Sequence, residues 1–197
     1  MGDKIKTAIE IALEKAAMLE DLSEQEKEEI ANKKELDPLM AGFYRGNSDA
    51  EKLWSKLKGK PASMLKSAQI NLINSFKFNL ENEELKRRSK AVIAIETLKK
   101  EQKTSALQQI LHHLENLKKK AESEKEQVFN EFKKAIENNP QARTRVLEQG
   151  GQKIMVKLSA EEAIMHNPQW KQFLEDFEKN YENEFARAAE QMINQIS

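Results

Sequence analysis

The fold is decided by residues 62–139, ASMLKSAQINLINSFKFNLENEELKRRSKAVIAIETLKKEQKTSALQQILHHLENLKKKAESEKEQVFNEFKKAIENN, a stretch with neither glycine nor proline. The two strongest helix breakers are missing, so this segment predicts helix along its length. One straight helix of that span would reach about 115 Å at ~1.5 Å per residue, which makes a turn the economical solution. The polar run Lys99-Lys100-Glu101-Gln102-Lys103-Thr104-Ser105 is its natural place, with Thr104 or Ser105 capping the second arm. The expected product is a long antiparallel helical hairpin with arms over 62–100 and 105–138; its rival is one continuous helix that dimerises.

Both arms carry an apolar stripe. Leu65, Ala68, Leu72, Ile73, Phe76 and Leu80 lead the first, followed by Leu85, Val92, Ile95 and Leu98. In the second, Leu107, Ile110, Leu114, Leu117 and Ala121 step by three and four, a short coiled-coil-like seam.

Upstream, Ile5, Ala8, Ile9, Ala12, Leu13, Ala16 and Leu19 predict a first helix over 4–22. Ser23 with Glu26 forms a capping box that opens a second, almost wholly charged segment over 24–34, expected to project into solvent or to be only partly ordered. Pro38, Gly42, Gly46, Gly59 and Pro61 break residues 36–61 into two short helices, the second capped by Ser48 or Asp49. Downstream, Pro140 ends the long segment. Short β-branched runs on either side of Gly150-Gly151 predict one small β-hairpin near 144–158, with a turn that needs positive φ. Ser159 and Glu162 make a second capping box, and Asn167-Pro168 opens the last helix. The expected class is mainly α, in three sections (1–61, 62–139 and 140–197) acting as one cooperative unit.

Composition narrows the chemistry. The 197 residues hold 33 Lys+Arg and 33 Asp+Glu, a formal net charge of zero, and no cysteine. A disulfide scaffold, a thiolate metal site and a cysteine nucleophile are therefore excluded. No run of about 18 apolar residues suggests a membrane span, and the opening residues lack a signal peptide's apolar stretch, so the expected compartment is the cytoplasm. The charge is uneven: residues 61–139 carry an excess of four cations, and the sections on either side each carry an excess of two anions.

Catalytic and cofactor fingerprints are not found. No nucleophile elbow, phosphate loop or dinucleotide motif occurs. The three histidines, His112, His113 and His166, lack the Glu-x-x-His pairing of a di-metal bundle and read as helix-surface and helix-end residues. The expectation is thus no catalytic residue, no metal and no cofactor.

Two groups of residues could meet a partner. On the last helix Trp170, Phe173, Phe177, Tyr181 and Phe185 lie on one stripe, either as core or as the anchor of a helix-in-groove contact. The second group is basic: Lys86, Arg87, Arg88 and Lys90 on the first arm, with Arg143, Arg145, Lys153 and Lys157 around the hairpin. A basic hairpin beside helices could touch phosphate, as in a winged-helix layout.

The opening IKTAIEIALEKA at residues 5–16, followed by a charged helix, resembles the start of small uncharacterised bacterial helical proteins of unknown function. The resemblance covers about the first quarter of the chain and implies no activity to carry over. The reading is a non-enzymatic helical scaffold or adaptor working through a protein partner or through self-association as a homodimer. The alternative is a nucleic-acid-binding protein using the basic residues.

Overall fold

A computed structural model describes residues 23–149 and 152–197. The helix expected over 4–22 and the Gly150-Gly151 turn lie outside the described residues. Among those described are seven α-helices and one two-stranded antiparallel sheet, a mainly α fold as the sequence predicts. In order they are α1 (Glu24–Tyr44), α2 (Ala50–Leu57), α3 (Ala62–Asn74), α4 (Asn82–Glu96), α5 (Thr104–Glu137), a 3₁₀ turn (Pro140–Arg143), β1 (Thr144–Gln149), β2 (Gln152–Lys157), α6 (Ala160–Met165) and α7 (Pro168–Ile196).

The chain forms two compact units. The first comprises residues up to Leu72 together with Lys90–Gln102; the second comprises Ile73–Ser89 together with Lys103–Ser197.

In the first unit, α1 begins at the expected capping box, with Glu26 N–H donating to Ser23 Oγ and Ser23 N–H to the Glu26 carboxylate. The helix then runs through Pro38 instead of stopping there. Proline inside a helix costs about 3 kcal/mol. Beyond it, however, Met40 and Phe43 are buried, as is Leu36 before it. Each such side chain contributes about 1.5–3 kcal/mol, so ending the helix early would lose more than the ring costs. The chain leaves α1 at Gly46, whose φ of 78° is the left-handed conformation that glycine adopts without strain. Asp49 caps α2 by accepting from Lys52 N–H at 2.8 Å. Tyr44 ties α1 to α3 through its hydroxyl and the Asn71 carbonyl, and Trp54 ties α2 to the end of α4 by donating to Thr97 Oγ1.

The expected first arm over 62–100 is not one helix. It stops at Asn74 and restarts at Asn82. No breaker residue causes this; the intervening backbone is held by side chains of the second unit. Lys118 Nζ donates to the carbonyls of Phe78 and Leu80, both at 2.9 Å, and Arg88 donates to the carbonyl of Ser75 at 2.8 Å. The break lets Phe78 enter the aromatic core, where it meets Phe177, Tyr181 and Phe185.

The turn between the arms falls over 97–103, overlapping the expected run 99–105 but starting two residues earlier. Thr104 is the first helical residue rather than the cap: Lys103 occupies the cap position and makes no side-chain capping bond. The first half of α4 lies antiparallel beside α5, with Asn82 donating to Glu122 at 3.0 Å. On α5 the buried seam is Leu107, Leu111, Leu114 and Ala121, while Ile110 and Leu117 are half-buried. The β-hairpin is in register from Thr144↔Lys157 to Gln149↔Gln152. Arg143 anchors its base, donating through Nε to the Leu158 carbonyl and accepting at its own carbonyl from Leu158 N–H. Ser159 and Glu162 form the second capping box, and Asn167 caps α7 with Pro168 at its first position.

Candidate functional site

The aromatic stripe of α7 is core of the second unit. Trp170, Phe177, Tyr181 and Phe185 are buried and Phe173 half-buried. Their rings touch in sequence, Trp170 to Phe173 at 5.3 Å, Phe173 to Phe177 at 5.4 Å and Phe177 to Tyr181 at 4.8 Å. From α5, Phe129 and Phe132 meet the Trp170 ring edge-on. Such pairs add about 0.5–1.5 kcal/mol each beyond the area they bury. The Tyr181 hydroxyl donates to Glu124 Oε2 at 2.7 Å. Burial first, then that carboxylate, pushes the phenol up to about 12. A stripe engaged in this way is spent within its own unit.

Most of the basic candidates are also engaged. Glu84 accepts from Arg87 in a two-pronged pair, Nε at 2.7 Å and Nη2 at 2.8 Å, and from Arg88 at 3.3 Å. The hydrogen bonding of Arg87 holds the Glu84 carboxyl below its usual range. Lys86 pairs with Glu83 at 3.4 Å. Arg145 reaches the His166 carbonyl at 3.3 Å. Lys90 and Lys157 are exposed, and the side chain of Lys153 lies outside the described residues. Lys86 and Lys119, far apart in sequence, line one small pocket with Asn82, Leu85 and Glu115. The pocket is about 160 Å³, with the single carboxylate of Glu115 against two ammonium groups.

The first unit holds two polar features that the sequence reading passed over. One is buried. Gln69 and Glu96 are both fully inaccessible to solvent. Gln69 Nε2 donates to the Val92 carbonyl at 3.1 Å and to Glu96 Oε2 at 2.8 Å, while Lys99 pairs with that same carboxylate oxygen at 3.0 Å. Gln69 Oε1 has no hydrogen-bond partner. The signal was present: Gln69 interrupts the Leu65–Ile73 series and Glu96 the Val92 series, both at helical spacing.

The other feature is open. Between α1 and α3 runs a groove of about 550 Å³. Leu36 and Ile70 supply its apolar floor, and Asn32, Lys33, Asp37, Ser63, Lys66, Ser67 and Asn71 are among its walls. Ser63 bridges the two helices, accepting from Asn32 Nδ2 at 3.2 Å and donating to Glu28 at 3.4 Å. The groove exists because α3 presents Ser63 and Ser67 one turn apart, and two hydroxymethyl groups do not fill the space between two helices. A side-chain grouping suited to a metal ion is not found among the described residues, and no described helix is long and apolar enough to cross a membrane.

The model of a family described as being of unknown function matches residues 51–194. No curated protein and no solved structure matches the chain.

Proposed function

The chain belongs to DUF6657, a family of unknown function, and from its own chemistry we propose that it is a non-enzymatic helical adaptor that seats a segment of a partner protein. The observation that carries this reading is the open groove between α1 and α3. Its apolar floor with mixed-charge walls suits an amphipathic polypeptide segment that lays apolar side chains on Leu36 and Ile70 and meets Lys33, Lys66 and Asp37 at the rims. Its volume lies in the range of pockets that hold a ligand of several side chains, about 300–1,000 Å³. Of its two walls, α3 falls within the residues that match the family and α1 falls outside them. The working compartment in this reading is the cytoplasm.

A nucleic-acid surface draws less support. Phosphate binding gathers uncompensated cations on one face, whereas Arg87 and Arg88 share the Glu84 carboxylate.

The test is a photo-crosslinking residue placed at Ser67 in the full chain, in cells. A discrete crosslinked polypeptide that disappears when Ser63→Arg fills the groove supports the adaptor reading. Absence of a crosslinked polypeptide, or one that persists in the filled variant, overturns it.

A further inference from the structure

We infer that residues 4–22 of this chain are the resting occupant of the α1–α3 groove: they fold back as a helix antiparallel to α1, and a partner segment displaces them to be seated. The displacement takes its partner from the adaptor reading; the occupancy itself rests on the groove and on the sequence that leads into it.

The shape of the groove calls for a helix. Its lining comes from α1 at positions 29, 32, 33, 36 and 37 and from α3 at 63, 66, 67, 70 and 71, the same i, i+3, i+4, i+7, i+8 spacing on both walls. Two helix faces set side by side over two turns make a trough for a third helix. An extended segment would find few backbone partners there, because helices bond their own carbonyls and N–H groups; a helix brings its own bonds with it. Ser63 and Ser67 are exposed and Ile70 is half-buried, so a third backbone can come close on the α3 side.

The tether supplies the occupant. Ser23, at the cap of α1, has extended backbone with φ −61° and ψ 157°. The chain therefore changes direction at Ser23, and α1 does not run on upstream as one helix. Helices joined by so short a connection pack as antiparallel neighbours. Residues 4–22 would span about 28 Å as a helix, and the groove ends about 21 Å from Ser23, at Asp37. A segment tethered this closely meets the groove at an effective concentration of about millimolar. Its sequence also has the face the trough needs. Ile5, Ile9 and Leu13 share a stripe with Ala8, Ala12 and Ala16. The aliphatic side chains suit the Leu36–Ile70 floor, and alanines at steps of four let two helices approach closely.

Charge sets the direction and the register. Lys6 and Glu10 border the stripe on one side, one turn apart. On the α1 rim Lys33 and Asp37, both exposed, are also one turn apart, with the signs in the same order along the chain. Parallel docking would set Lys6 against Lys33 and Glu10 against Asp37, like against like. Antiparallel docking sets Lys6 against Asp37 and Glu10 against Lys33 in a single alignment. That alignment puts the middle of the helical hairpin between Asp21 and Leu22, next to the Ser23 cap where the chain changes direction. One turn further along, Glu29 falls beside the opposed charges of Glu14 and Lys15.

The chain has no cysteine, so an introduced pair is unambiguous. In the full chain, Glu14→Cys with Glu29→Cys is treated with a short bifunctional maleimide, and the product is mapped by proteolysis. The expected product is an intramolecular crosslink whose yield is independent of protein concentration and which Ser63→Arg, by filling the groove, abolishes. Lys6→Glu with Glu10→Lys should slow its formation by roughly fivefold, and adding Lys33→Glu with Asp37→Lys should restore it, which also shows that the reversed chains are folded. Absence of the intramolecular product overturns the inference, as does its persistence in the Ser63→Arg chain or a failure of the second reversal to restore it. A crosslink between chains that grows with concentration also overturns it, giving the groove to a second copy. In cells, the Lys6→Glu, Glu10→Lys chain should raise the Ser67 crosslink to the partner by a similar factor; an unchanged crosslink overturns the displacement. Loss of the intramolecular product beside an intact partner crosslink removes the occupancy and leaves the adaptor reading standing. An intramolecular product with no partner crosslink, even in the reversed chain, supports the occupancy and removes the adaptor reading.

Discussion

Gln69 Nε2 lies 2.8 Å from Glu96 Oε2, a buried amide donating to a buried carboxylate where α3 meets α4. The same amide donates to the Val92 carbonyl, so both of its hydrogens are used and the side chain has one workable orientation. Lys99 supplies the neutralising charge. The first unit is therefore organised partly by a polar contact placed among apolar side chains, which fixes how two helices register against each other.

Gln69→Leu keeps the volume and removes both donors. It leaves the Glu96 carboxylate short of a partner in a water-excluded site, with an expected loss of about 2–3 kcal/mol. Gln69→Glu sets a second carboxylate against the first and is expected to cost ~3–5 kcal/mol. The chain has two tryptophans, Trp54 in the first unit and Trp170 in the second. With Trp170→Phe as the common background, Trp54 fluorescence during urea unfolding reports the first unit. The midpoint should fall in the order wild type, Leu, Glu; an unchanged midpoint in the Leu variant would refute the role given to Gln69.

The Tyr181–Glu124 contact predicts a particular alkaline behaviour. The folded phenol is raised from 10.0 to about 12. A group whose pKa is raised on folding contributes stability that is complete below the unfolded value and lost as pH climbs through the folded one. The contribution should therefore be constant up to pH 10 and fade between 10 and about 12. Tyr181→Phe should be less stable at neutral pH by about 1–2 kcal/mol, and its difference from wild type should shrink across that window. Urea midpoints against pH measure this. Phenolate absorbance of wild type compared with Tyr181→Phe isolates the late-titrating ring from Tyr44, the other tyrosine.

Glu84 predicts the acid limb. Its carboxyl is held below the ordinary 4.5, first by the hydrogen bond from Arg87, so its contribution is present above that value and lost as pH falls through the depressed one. The pair is about a third exposed on the Glu84 side, and solvent screening keeps the effect of Glu84→Gln to ~1 kcal/mol or less at neutral pH. The variant should also unfold with a shallower dependence on acid. Equal acid slopes in the two proteins would show that the arginines do not depend on this carboxylate.

How much of this was legible in the sequence depends on whether the signal is local. Capping boxes at Ser23 and Ser159 and the Asn167-Pro168 start of α7 are written in a few adjacent residues, and the structure has them where the sequence puts them; the turn expected over 99–105 falls over 97–103. The helical periodicity of Trp170 through Phe185 is equally plain, but periodicity alone gives an apolar face and not what covers it; Phe78, Phe129 and Phe132 come from distant segments. The same limit hid the continuation of α1 through Pro38, which depends on burial of Met40 and Phe43. The α1–α3 groove follows from two serines that say nothing until the opposite helix is in place.

The break at 75–81 is the clearest non-local case, and it yields the last prediction. Nothing in Ser75-Phe-Lys-Phe-Asn-Leu-Glu81 forbids helix, yet the chain unwinds there because Lys118, forty residues after Phe78, satisfies two carbonyls that a helix would otherwise bond internally. Its ammonium also stands 5.3 Å from the Phe78 ring centre, a cation–π contact worth about 0.5–1 kcal/mol. Lys118→Met preserves the stem and removes the donors. Two carbonyls lose a charged partner at about 1.5–3 kcal/mol for the stronger bond, and the segment gains freedom to wind back into helix. The expected result is faster amide exchange over 75–81 and a lower unfolding midpoint reported by Trp170 in a Trp54→Phe background. Phe78→Ala should lower that midpoint further, since it removes the half-buried ring that the break places among Phe177, Tyr181 and Phe185. If Lys118→Met leaves exchange in 75–81 unchanged, the break is held by Phe78 burial alone, and the lysine's two bonds follow from the unwound backbone instead of causing it.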